Sequence, residues 1–181
     1  MNTYNLPKGY TLTIHPDELP ENPREWDNLG TMYFENYPMS RHITGDANAE
    51  KPPIKGCVTL KVYAYVHSGI ALKVEEAFGC PWDSGLVGVI YVTHEKIREE
   101  YGISRVTKKW REKVREYLKG EVETYNRYLE GDIWRFTLEN EEGDLEDSCG
   151  GFYGDDPLKN GMSDHLPDWV VKALKTDNNP S

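Results

Sequence analysis

At 181 residues the chain has the length of one domain with a real core, and it reads as a single α+β domain over residues 1–181. Hydrophobic residues make up only 38%, but 12 Tyr and 5 Trp supply large buried area per residue, so a core can be built from aromatics. A formal charge of −10 repels phosphate, which excludes broad nucleic-acid binding and favours basic partners. Three widely spaced cysteines, Cys57, Cys80 and Cys149, lack the close pairs of a zinc site and fit reduced thiols. No basic-then-apolar leader and no run of about 18 apolar residues occurs, so a cytoplasmic protein without membrane contact is expected.

Residues 10–14 (Tyr-Thr-Leu-Thr-Ile) alternate as a strand, with His15-Pro16 as its stop. Pro16, Pro20 and Pro23 then keep the chain extended or turning. Trp26-Asp27-Asn28-Leu29-Gly30 forms a polar turn that leads into a strand over 29–34. A long surface loop is expected at about 36–56, where Asn, Pro, Gly, Asp and Ser dominate, and a loop of that length in a compact domain is often functional. Residues 57–66 place Val58, Leu60, Val62, Ala64 and Val66 on one face of a strand, and His67-Ser68-Gly69 turns it back into a partner over 70–74.

The most prominent stretch is Cys80-Pro81-Trp82-Asp83-Ser84-Gly85 followed by an apolar strand to Val92, a second Trp-Asp turn matching the first. Thr93 is the expected N-cap of a short helix closed by Gly102. Val106, Trp110, Val114, Tyr117, Leu118, Val122, Tyr125 and Leu129 then recur at three- and four-residue steps, the stripe of an amphipathic helix that Gly120 is expected to break or kink. After Gly131, residues 133–138 and 146–153 form a terminal hairpin around an acidic turn. A short helix capped at Ser163 or Asp164, with Pro167 in its first turn, precedes a flexible tail from about residue 176. The whole reads as a mainly antiparallel sheet of about five to seven strands packed against one long and one or two short helices.

Chemistry-bearing residues concentrate in the turns: Trp26, Asp27, Asn28, His67, Ser68, Trp82, Asp83, Ser84 and Asp147. If one sheet gathers them at one rim, they form a ligand site, and their oxygens could hold Mg²⁺ or Ca²⁺. The plainer alternative is that Asp and Ser cap their own turns. Under the first reading a metal-dependent hydrolase acting on a nucleotide would use Asp27, Asp83, Asp147 and His67. Under the second, Trp26 and Trp82 would be core anchors of an interaction module with no small-molecule ligand. A cysteine nucleophile is disfavoured, since Cys149 has acidic neighbours that raise a thiol pKa and Cys80 has no evident base. The mixed-charge face from Arg105 to Lys119 could grip an anion, but Glu112 and Glu116 at i,i+4 spacing suit an ordinary solvated face. The acidic stretch holding Glu139, Glu141, Glu142, Asp144, Glu146, Asp147, Asp155 and Asp156 could mimic DNA phosphate.

The strings Asn22-Pro23-Arg24-Glu25-Trp26-Asp27-Asn28-Leu29-Gly30-Thr31-Met32, His67-Ser68-Gly69-Ile70, Cys80-Pro81-Trp82-Asp83-Ser84-Gly85 and Gly120-Glu121-Val122-Glu123-Thr124-Tyr125-Asn126 resemble a family of small proteins carried by bacteriophages and mobile elements of gut-type bacteria. The likeness runs from about residue 20 to 154. It implies an accessory protein in the host-cell cytoplasm, of the kind that counters host defence by binding. The expected partner is a host defence effector, a nuclease or CRISPR-type complex (an anti-CRISPR role), or a nucleotide messenger. The resemblance supplies no established activity and no catalytic residue, and no cofactor is expected beyond the Mg²⁺ or Ca²⁺ of the ligand-site reading.

Overall fold

The computed structural model describes residues 1–35 and 37–176. In chain order these form β1 (Asn2–Asn5), β2 (Thr11–Pro16), β3 (Thr31–Tyr33), β4 (Cys57–Val66), β5 (Ile70–Val74), β6 (Ser84–Thr93), α1 (His94–Tyr101), α2 (Lys108–Glu130), β7 (Ile133–Glu139), β8 (Leu145–Tyr153) and α3 (Asp168–Thr176). The fold is α+β, as its sequence implies, and its strand pairings are antiparallel. The strands divide into two four-stranded sheets, ordered β1-β2-β7-β8 and β3-β6-β4-β5, where the alternating segments had suggested one. Two compact units result, Met1–Glu21 with Gly131–Ser181 and Asn22–Glu130.

In the unit Asn22–Glu130, β6 is central, and its unbroken apolar run follows from having both faces covered. Ile90 and Val92 join the main core with Val114, Leu118 and Val122 of α2, while Val89 and Tyr91 pack with Tyr33 in a second cluster. The loop at about 36–56 contains no helix or strand among its described residues, yet it is far from a loose surface excursion. Met39 and Ile43 are buried within it, and the Tyr91 hydroxyl donates to Glu50 O at 2.8 Å. Residue 36, at the start of that expected loop, lies outside the described residues. The buried Asn126 of α2 reaches the sheet, its Oδ1 accepting from Leu72 N of β5 at 2.6 Å. Thr93 caps α1 as its sequence requires, its hydroxyl accepting from Lys96 N at 3.2 Å, and Gly102 ends it at φ 59°. α2 passes through Gly120 without interruption, because its buried stripe lies on other residues and no break relieves anything.

In the other unit, β1 has no alternation of its own and is added to β2 through the register Asn2↔Ile14 to Asn5↔Thr11. β2 continues through Pro16 instead of stopping at His15. β1 reaches only as far as Ile14, so Pro16 has a neighbouring strand on one side, a margin where a missing N–H is tolerated. Leu12, Ile14, Phe136, Leu138, Met162, Val170 and Leu174 make this unit's core. The C-terminal segment is two pieces, a 3-10 turn at Met162–Asp164 and α3 beginning after Pro167, whose carbonyl accepts from Val170 N and Val171 N. Thr176, where the flexible tail was expected to begin, is the last helical residue, and residues 177–181 of that expected tail lie outside the described residues.

A Cβ on Gly88 would collide with the Tyr33 carbonyl oxygen and the Phe34 ring, so β6 and the chain leaving β3 approach as only glycine permits. Gly88→Ala is expected to cost about 1–3 kcal/mol through overpacking. Urea denaturation checks this, and an unchanged midpoint would contradict the close approach.

Candidate functional site: an aromatic groove beside a buried arginine

A short 3-10 turn, Pro23–Glu25, opens with Asn22 Oδ1 accepting from Arg24 N at 3.0 Å and aims the Arg24 side chain inward, where it is 6% exposed. Its guanidinium meets Asp46 as a fork, Nε to Oδ1 and Nη2 to Oδ2, both at 2.8 Å. Nη1 donates to Glu121 Oε2 of α2 at 3.1 Å, and Nη2 also donates to Gly30 O at 2.8 Å. Burial by itself pulls this guanidinium's pKa down; the hydrogen bonds and charge of Asp46 and then Glu121 outweigh it, and the net shift is upward.

The two carboxylates extend the network into the backbone. Asp46 Oδ2 accepts from Met32 N at 2.9 Å, and Glu121 Oε1 accepts from Leu29 N at 2.8 Å and Gly30 N at 3.1 Å. Asn28 Nδ2 donates to Pro23 O at 2.8 Å, and Lys96 Nζ donates to Asn28 O at 2.7 Å. Gly30 is needed at the contact, since a Cβ there would press on the side chains of Leu118 and Ile90. The segment 22–30 is thereby bound to α2, to α1 and to the loop that carries Asp46.

Between this segment and α2 lies a groove of about 620 Å³, within the size range of ligand sites. Pro23 and Trp26 line one side, and Lys113, Glu116, Tyr117, Gly120 and Thr124 of α2 line the other. Trp26 is 46% and Tyr117 49% exposed, so both rings present surface at the groove. A Cβ on Gly120 would meet nothing within 4 Å, so this mid-helix glycine leaves open space. At one end, Lys113 Nζ lies 4.8 Å from the Trp110 ring centre, 4.9 Å from that of Tyr101 and 5.7 Å from that of Tyr117, within cation–π range of all three.

The turn residues singled out in the sequence do not meet at one rim. Thr31 pairs with Tyr91, which puts Asp27 and Asn28 near the C-terminal end of β6, whereas Asp83 immediately precedes its first residue, Ser84. From Ser84 to Tyr91 a strand rises about 23 Å, so Asp27 and Asp83 cannot share an ion. Asp147 belongs to β8 in the other unit, paired with Leu138. Among the described residues no group of three or more His, Cys, Asp or Glu is placed to hold a metal.

The second Trp-Asp turn does gather with the β4–β5 turn. His67 Nδ1 lies 3.6 Å from Asp83 Oδ2, with both side chains open to solvent at 68% and 39%. Val66 N donates to Asp83 O at 2.7 Å, Ser84 Oγ donates to Cys80 O, and Cys80 Sγ lies 3.7 Å from Asp83 Oδ2. Ser68 is exposed at the turn tip. The tryptophans are not core anchors: Trp82 is 91% exposed and Trp26 faces the groove. On α2, Lys108 pairs with Glu112 at 3.9 Å as the spacing implied, but Glu116 turns to Lys119 at 2.8 Å.

Of the predicted set, Trp26 and Asn28 belong to the groove. Tyr117, Gly120 and Glu121 of the groove, and Arg24 and Asp46 of the network beside it, were not read as a site, although a glycine inside an otherwise strong helical pattern was a signal for Gly120. No protein-family model, curated protein or solved structure matches the chain. Among the described residues no helix is long and apolar enough to cross a membrane.

Two substitutions test the site's construction. Glu121→Ala removes one of the two carboxylates on a buried guanidinium and the acceptor of two N–H groups, and is expected to cost about 3–5 kcal/mol in chemical denaturation. Gly120→Ala is expected to stabilise by roughly 0.5–1 kcal/mol, since it restores helix propensity and its methyl meets open space.

Proposed function

We propose that this protein acts by binding, as a non-catalytic accessory protein of a phage or mobile element that inhibits a host defence effector. The observation that carries the binding reading is the groove itself: half-exposed Trp26, on a segment held in place by a buried, four-bonded arginine, and half-exposed Tyr117 of α2 line it together. Such preorganisation lowers the ordering cost of association. The likeness of the Asn22–Met32, His67–Ile70 and Cys80–Gly85 strings to phage and mobile-element proteins supports the counter-defence setting.

Of the two ligand kinds this role allows, a protein effector suits the groove better than a nucleotide messenger. The Leu29 and Gly30 N–H groups beside it already serve Glu121, so they do not offer themselves to a phosphate. Phosphate would meet net repulsion in a chain of charge −10. A metal-dependent hydrolase built on Asp27, Asp83, Asp147 and His67 would need those groups within reach of one ion, and the placing of Asp27 and Asp83 at opposite ends of β6 argues against it.

The test is inhibition of purified nucleases and CRISPR-type effectors by the full chain. At least one effector is expected to be blocked at near-equimolar ratio, with effector and nucleotides left chemically intact. Inactivation far below equimolar, or no inhibition across the panel, overturns the proposal.

A further inference from the structure

We propose that His94 and Arg98 of α1, together with Arg111 of α2, form a binding site for a tetrahedral oxyanion, a phosphate group. The site is separate from the groove and does not rest on the counter-defence reading.

The bases of α2 divide by what answers them. Lys108 pairs with Glu112, Arg115 with Glu75 and Lys119 with Glu116, while Lys113 lies against three rings. In a chain with 31 acidic and 21 basic residues a carboxylate is seldom far, yet among the described residues neither Arg98 nor Arg111 has a side-chain hydrogen bond or ion pair. The helix neighbours of Arg111 at three and four residues are Thr107, Lys108, Val114 and Arg115, so α2 offers it no acid.

The fold turns these unanswered groups toward one another. Arg111 precedes Val114 by three residues and Leu118 by seven, which puts it on the side of α2 that carries the buried stripe. The Tyr101 and Trp110 rings, 4.7 Å apart, tie α1 to the first turn of α2. His94 and Arg98 stand one turn apart on a single face of α1. Burial first, and then the charges of Arg111 and Arg98, hold the His94 imidazole below its ordinary pKa, so both guanidinium groups act on this ring. Its Nε2 is buried and has no hydrogen-bond partner, an unmet valence of the kind that an ion or a water fills.

The donor set selects the guest. Guanidinium forks match phosphate oxygens two at a time, and an imidazole with its proton on Nε2 adds a further donor. Two fixed positive charges suit a dianion better than a carboxylate, which one arginine would satisfy. The net charge of −10 opposes any anion at long range, so millimolar affinity that falls with added salt is expected.

The experiment follows the histidine ring signals of the labelled full chain by NMR at constant pH, with inorganic phosphate, adenosine monophosphate, and sodium chloride at matched ionic strength. Both phosphate probes are expected to shift the His94 ring saturably, with His15, His42, His67 and His165 little changed and chloride without this effect. Arg98→Gln and Arg111→Gln alter exposed side chains with no bonds to lose, and each is expected to weaken phosphate binding by about tenfold. Lys109→Gln is expected to leave it unchanged. An equal shift with chloride would mean screening alone, and a shift with the nucleotide but not with inorganic phosphate would mean that the base is recognised; either overturns the proposal. So does undiminished binding when Arg98 and Arg111 are both replaced by Gln. Each of these failures leaves the groove and the effector-binding reading standing.

Discussion

The buried Arg24 is the constraint on which the unit Asn22–Glu130 depends. A guanidinium taken out of water costs several kcal/mol unless its donors are satisfied, and here Nε, Nη1 and Nη2 all find acceptors on three different segments. Each acceptor is itself tied down, Asp46 by Met32 N and Glu121 by Leu29 N and Gly30 N. Buried ion networks contribute little net stability compared with apolar packing, but they are intolerant of misplacement. Here the network ties segment 22–30 both to α2 and to the loop that carries Asp46. That position puts Trp26 at the groove beside Tyr117.

Rigidity of this kind explains why exposed aromatic surface can persist without collapsing. An unsupported tryptophan on a loop would fold back over the nearest apolar surface to escape water. Pro23 restricts the backbone before Trp26, and Asn28 bonds back to both Pro23 O and Trp26 O, so the loop lacks the freedom to do so. The α2 side is equally fixed, with Leu118 and Val122 fully buried next to groove-lining Tyr117 and Glu121. One helix thus serves the core with one stripe and the groove with the adjacent one.

Much of this was legible from residue order. The alternation in β4, the Thr93 cap and Gly102 stop of α1, and the apolar steps of α2 are local signals, and they appear where their spacing put them. Which strands share a sheet is set by long-range pairing, and nothing local in residues 10–14 or 133–138 separates them from β4 and β6. β1 was invisible for a related reason: Asn-Thr-Tyr-Asn becomes a strand through its partner β2. The candidate site failed on the same ground. Two similar Trp-Asp turns suggested one pocket, but antiparallel β3 and β6 start from opposite ends of the sheet, so turns that each precede a strand are driven apart. Likeness of sequence at strand starts implies nearness only for parallel neighbours.

The groove was missed because its defining residues carry no conspicuous chemistry. Arg24 looks like a surface charge between Pro23 and Glu25, and Glu121 like one more acid on a mixed-charge helix; only a separation of 97 residues closed by a 3.1 Å bond shows them to be partners. Gly120 is the exception, and its position is informative. Glycine in mid-helix costs stability relative to alanine, and its missing side chain relieves no steric conflict here, because the space above it is open. This residue lies next to the carboxylate that holds the loop and lines the same groove as the exposed indole. The same helix position filled by alanine would leave the fold intact and the groove shallower. The helix penalty and the open space therefore coincide on the outer stripe of α2.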